Sequence, residues 1–164
     1  MNRYRMLVKG LLLDPMTKAP VLILQAAEKD NVYLPIWIGT QEANAIILAL
    51  ENKISERPLT HELLTSIMKR LGGSIEQIVI DRMENNIYFA EITLINSARK
   101  TLLIDSRPSD AIALALNHNV PIFVEEEVIK KTRQEDLSGS QREIERLKEW
   151  MDKSSPDDFG KYKM

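Results

Sequence analysis

Apolar positions along the chain follow two rhythms, one suited to strands and one to helices. Met6 to Leu13 reads as a first strand, stopped by the turn-forming pair Asp14-Pro15. Val21-Leu22-Ile23-Leu24 is too short a run for a helix. Lys29-Asp30-Asn31 then turns the chain into Val32-Tyr33-Leu34-Pro35-Ile36-Trp37-Ile38. Pro35 lacks a backbone donor, so this third run is expected at a sheet edge or a bulge. Ile75 to Arg82, Ile87 to Ile95 and Thr101 to Asp105 read as three further strands, the first two joined as a hairpin through Glu84-Asn85-Asn86. Pro121 to Val124 is a final short strand, and Glu125 to Arg133 a polar helix or loop.

The helical rhythm occurs elsewhere. Thr40 is a good N-cap for a helix running to about Asn52, whose Ala43, Ala45, Ile46, Ile47, Leu48 and Leu50 leave almost no polar face. Such a helix is expected to be buried on all sides, by sheet or by another subunit. Thr60 caps a second helix with Leu63, Leu64, Ile67, Met68 and Leu71 on one stripe, ended by Gly72-Gly73. A third, from Pro108 to about Asn117, is almost purely Ala, Ile and Leu.

A shift of 68 residues lays one part of the chain over another. It places Leu34 on Leu102, Ile36 on Ile104, Glu42 on Asp110, Ala43 on Ala111 and Ile46 on Leu114. Both segments read as strand-strand-strand-helix, with an acid in the first turn of an Ala-rich helix. Either the chain contains an internal duplication, or both segments obey the same strand-to-helix rules independently. The expected architecture is one α+β domain over residues 1–133, its Ala-rich helices packed on a mixed or antiparallel sheet. Residues 134–164 then form a linker and a C-terminal amphipathic helix carrying Ile144, Leu147, Trp150 and Met151.

Composition narrows the function. At 164 residues and 44% hydrophobic, the chain can bury a core without staples, and having no cysteine it has neither disulfides nor thiolate metal sites. No apolar run is long enough to span a bilayer and no secretory signal opens the chain, so a cytoplasmic location without membrane contact is expected. The net charge of -2 argues against avid binding to nucleic acid through bulk charge, leaving only a local site.

That local site centres on two Arg-Pro helix entrances. The first is Arg57-Pro58-Leu59-Thr60-His61-Glu62, the second Arg107-Pro108-Ser109-Asp110. Free N–H groups at a helix start attract anions, and Arg107 could grip a phosphate bidentately with Ser109 donating beside it. Asp110 could take a proton or bind a metal, and Glu42 sits at the matching position of the first repeat. His61 is the histidine nearest these groups and suits general acid–base work. Each residue also has a purely structural explanation, since an acid in a first helical turn is stabilised by the helix dipole and Arg107 can simply pair with it. His118, in a turn, carries no expected role.

The segments Leu34-Pro35-Ile36-x-Ile38-Gly39, Arg57-Pro58-Leu59-Thr60-His61-Glu62-Leu63-Leu64 and Asp105-x-Arg107-Pro108-Ser109-Asp110-Ala111-Ile112-Ala113-Leu114-Ala115 together resemble the bifunctional nuclease (BFN, DUF151) domain over about residues 3–131. The resemblance implies an oligomeric α+β domain acting as a nuclease of low sequence specificity on RNA and DNA. On that footing His61, Asp110 and Glu42 are candidate catalytic residues. Arg57, Arg107 and Ser109 are candidate phosphate ligands, and Asp110 with Glu42 would hold Mg²⁺ or Mn²⁺. The alternatives are a non-catalytic oligomeric module binding an anion or a partner, and an enzyme acting on a small phosphorylated substrate.

Overall fold

The computed structural model describes residues 2–53, 55–139 and 149. Seven strands form one mixed sheet in the order β3-β2-β1-β7-β4-β5-β6. β1 (Arg3–Leu13), β2 (Pro20–Ala26) and β3 (Lys29–Trp37) make one antiparallel meander, and β4 (Ser74–Glu84), β5 (Ile87–Ile95) and β6 (Thr101–Ser106) make a second. The short β7 (Ile122–Glu125) joins them, antiparallel to β1 and parallel to β4. The β4–β5 hairpin closes on Asn85 and Asn86 with φ of 50° and 62°, the left-handed pair of a type I′ turn.

Each meander leads into a helix at the matching position. α1 (Thr40–Leu50) and α3 (Pro108–His118) are both 11 residues long, and the 68-residue shift superimposes their bounds. They pack on each other over the sheet. α3 is the better buried, with Ala111 through Ala115 all in the core. Within the chain itself α1 is not covered on all sides. Only Ala43 and Ile46 are buried, and Leu50 is exposed. Its apolar perimeter is therefore partly open to solvent among the described residues.

Two corrections concern helix starts. Gly39 is the N-cap of α1 and Thr40 its first helical residue, while Leu59 and not Thr60 caps α2 (Thr60–Arg70). Neither cap uses its own side chain. At α2 the Leu59 N–H instead donates to Glu62 Oε2 at 2.8 Å, half of a capping box. Gly72, with φ of 74°, ends α2 in the left-handed conformation open to glycine, and Asn119 does the same for α3.

The segment after β7 is a helix, α4 (Glu126–Gly139), which continues through residues 134–139, the first part of the expected linker. It lies against β3, β4 and β7 and buries Val128 and Ile129. The amphipathic stripe of Ile144, Leu147, Trp150 and Met151 falls outside the described residues. One large core cluster unites β-strand residues such as Leu24, Leu34, Ile78, Ile80 and Val124 with α1, α3 and α4. Each fully buried Leu or Ile there contributes roughly 1.5–3 kcal/mol. A smaller cluster, Leu12, Val21 and Ile23 with Tyr33, packs apart from it.

Candidate active site

Because α1 and α3 pack together, their first turns meet, and the repeat-related acids Glu42 and Asp110 come to the same place. A single arginine joins them. Arg107, the N-cap of α3 in extended conformation, grips Asp110 bidentately through Nε–Oδ2 at 2.7 Å and Nη2–Oδ1 at 3.1 Å. Its Nη1 donates to Glu42 Oε1 at 2.9 Å. Pro108 at the first helical position fixes the geometry, since its ring pre-sets φ and its missing N–H is not needed there.

The repeat is broken at this point. The position matching Arg107 in the first half is Gly39, where a Cβ would collide with the Glu42 carboxylate folded back over it. One half supplies the arginine and the other the space for its second partner.

α2 brings the histidine. His61 Nε2 lies 3.2 Å from Asp110 Oδ1. Asp110 is under opposing influences: partial burial, the largest, favours its neutral form, but the hydrogen bonds and charge of Arg107 and the hydrogen bond of His61 together hold it below the usual aspartate range. It is thus an ionised acceptor, so Nε2 must be the donor and Nδ1 is left as the nitrogen free to take a proton. The hydrogen bond to Asp110, then its charge, strengthens the protonated state of Arg107 in return. The Arg107 side chain is 65% exposed, and three of its five N–H groups are engaged by the two acids. The remainder can reach an anion arriving from solvent.

Four of the sequence-derived candidates, Glu42, His61, Arg107 and Asp110, therefore converge on one solvent-accessible point. Ser109 is buried in the first turn of α3. Arg57 is exposed in the segment before α2 and makes no ion pair among the described residues. As a cation site the two carboxylates fit poorly, because the guanidinium already lies between them. No three His, Asp or Glu side chains among the described residues are grouped to hold a metal ion.

One contributor escaped sequence reasoning. His118, at the C-terminal end of α3, pairs with Thr65 Oγ1 at 3.1 Å and so tethers α2 at a second point. Burial, with the charge of Lys69 adding to it, lowers the His118 pKa and favours the neutral ring. Only its place at a helix end hinted at this.

The model of the bifunctional nuclease domain matches residues 22–136, more than half of the chain. The chain belongs to the bifunctional nuclease domain family. It is 35% identical to the uncharacterized protein Rv1829 of Mycobacterium tuberculosis, over 93% of this chain and 95% of that protein. It is 27% identical to Bifunctional nuclease 1 of Oryza sativa subsp. indica, over 63% of this chain and 32% of the rice protein. Bifunctional nuclease 1 of Arabidopsis thaliana is 24% identical over 64% of this chain and 33% of its own length. Glu42, His61, Arg107 and Asp110 all lie within the family match. No helix among the described residues is long and apolar enough to cross a membrane.

Proposed function

We propose that this family member hydrolyses phosphodiester bonds in RNA and DNA with low sequence specificity, using His61, Asp110 and Arg107. The observation that carries this reading is the His61–Asp110 hydrogen bond beside an exposed guanidinium. Asp110 fixes the imidazole tautomer, as the acid does in a hydrolytic triad, and leaves Nδ1 to act as general base. Arg107 supplies N–H groups and charge to the phosphate as negative charge grows on its oxygens. Water attacks phosphorus, giving its proton to His61 as the new P–O bond forms. The ester P–O bond breaks, and the proton passes to the leaving oxygen. Glu42 keeps Arg107 extended toward the site.

Labelled single-stranded RNA and DNA are the substrates for the test, each with and without chelator. Asp110→Asn and His61→Ala are expected to cut at no more than about one-hundredth of the wild-type rate, the usual scale of a lost general base. Wild-type cleavage by both variants would overturn the site. Loss of cleavage in chelator alone would show that a metal takes part, a role the carboxylate pair does not offer in this geometry.

A second reading is favoured by the same ion pairs. Arg107 already has two carboxylate partners, which suits a non-catalytic module binding an anionic ligand or a partner protein, with the network serving to fix two helix starts. It predicts that a repurified sample shows no turnover on either nucleic acid.

A further inference from the structure

A helix is ordinarily oriented by the apolar stripe it presses onto the core. α2 departs from that rule. Its least exposed residues are His61, Glu62, Thr65 and Met68, and none of them is buried. This inner face holds one apolar side chain, Met68, which packs against the main core cluster. Leu63, Leu64, Ile67 and Leu71 are all exposed. Apolar packing therefore holds α2 only weakly, and His61 rides on it.

Two polar contacts supply what packing does not. His61 Nε2 lies 3.2 Å from Asp110 Oδ1, and one turn further along α2 Thr65 Oγ1 lies 3.1 Å from His118 Nε2. Both partners belong to α3, the helix against which α2 packs. Thr65 makes its contact against a local alternative. A hydroxyl in mid-helix readily bonds the carbonyl four residues back, as Ser66 does to Glu62 at 2.9 Å. For Thr65 that carbonyl belongs to His61, yet its hydroxyl lies against the His118 ring. The ring is uncharged, because burial, and then the charge of Lys69 one turn beyond Thr65, hold His118 below the usual histidine range. A neutral imidazole offers one donor and one acceptor nitrogen, so it can satisfy a hydroxyl in either sense.

We propose that His118, acting through Thr65, is a positioning residue that keeps His61 seated on Asp110. It stands eight positions beyond Asp110, roughly 12 Å along the axis of α3, too far to take part in chemistry at the site. Its effect is that of a second link. While Thr65 and His118 are joined, His61 and Asp110 are kept within reach of each other, and the pair outlasts either contact alone. Without that link a helix with so little burial opens readily, and each opening carries His61 away from Asp110. The seating is a property of the folded chain. It rests on the nuclease reading only for its consequence on rate.

Thr65→Val and Thr65→Ser separate the bond from the shape of the side chain. Valine keeps the branch without the hydroxyl, and serine keeps the hydroxyl without the methyl. Hydrogen exchange of the α2 amides and the NMR signal of the His61 Nε2 proton both read the seating without substrate. In Thr65→Val, α2 exchange is expected to quicken about 2- to 10-fold, the usual net weight of one hydrogen bond, and the Nε2 proton signal to weaken. Amides of α3 should be unmoved, and Thr65→Ser should match the wild type. His118→Leu should match Thr65→Val, and the double variant should add nothing to either, since the two residues share one contact. On labelled RNA, kcat should fall in Thr65→Val by up to the same factor with KM unchanged.

An unchanged His61 signal in Thr65→Val overturns the proposal. Equal quickening in Thr65→Ser also overturns it, by tracing the effect to packing, and so do additive effects in the double variant. Faster exchange throughout α3 would make His118 a general support of the fold and overturn it as well. A wild type that seats His61 as described but cuts no nucleic acid would refute the proposed function and leave this inference standing.

Discussion

The two halves of the sheet use one pattern of strands and helices to opposite ends. In the first, the outer strand β3 is buried on its inner face and guarded at its edge, while its helix α1 is only half covered. In the second, α3 is the most buried helix among the described residues, and the outer strand β6 lies bare. The cause is the path of the chain beyond each helix. After α3 the chain returns through β7 into the middle of the sheet, and α4 then packs across onto β3. After α1 it passes directly into α2, which reaches α3 but leaves a groove above β6. Repetition of a local pattern does not repeat its environment.

The widest gap should appear between matched leucines. Leu34→Ala is expected to destabilise the monomer by about 2–5 kcal/mol, the range for a buried Leu truncated in a packed core. Leu102→Ala should cost no more than about 0.5 kcal/mol, since Leu102 is 44% exposed. Urea unfolding of both variants checks this, and similar costs would mean that β6 is covered within the monomer.

A smaller effect separates the two acids at the centre. Asp110→Asn should cost about 0.5–1 kcal/mol at neutral pH, a figure kept low because the exposed side of Arg107 is screened by solvent. The folded protein holds Asp110 below its ordinary range, so its contribution is present above about pH 3.9 and is lost as pH falls through the lower folded value. Acid unfolding of the variant should lack that part of the pH dependence. If the two curves differ only by a constant offset, Asp110 is not ionised through its partners as described.

The smallest change tests the asymmetry at Gly39. Its φ of -76° suits any residue, so Gly39→Ala strains no backbone; it acts by displacing the Glu42 carboxylate and by weakening the N-cap. A cost of about 0.5–1 kcal/mol is expected, from a poorer N-cap and the loss of one exposed ion pair. A structure of the variant should show Arg107 still gripping Asp110 and no longer touching Glu42. Retention of the Arg107–Glu42 contact would show that Gly39 is not what admits it.

Much of this was legible in the chain. The meanders, the I′ turn at Asn85-Asn86 and the Ala-rich helices arise from period, turn chemistry and propensity, which act over a few residues. Arg107 with Asp110 was legible too, because their spacing of three places them on one helical turn. Glu42 with Arg107 spans 65 positions and His61 with Asp110 spans 49, and no local rule joins such residues. The repeat gave a partial clue by equating Glu42 with Asp110, but it did not say that one arginine would serve both acids. What would cover α1 was not legible for the same reason: periodicity reports which face is apolar, not what will lie against it.

By itself, then, the sequence determined the strands, the helices, their repetition and the residue types able to meet an anion, since these depend on backbone preference and near neighbours. The tertiary structure alone decided that α1 and α3 meet at their first turns, that Arg107 lies between their acids, and that His61 arrives on a lightly held helix. It also decided that β3 is sealed while β6 is open. Those outcomes depend on which elements pack across the sheet, and packing is settled by the whole chain at once.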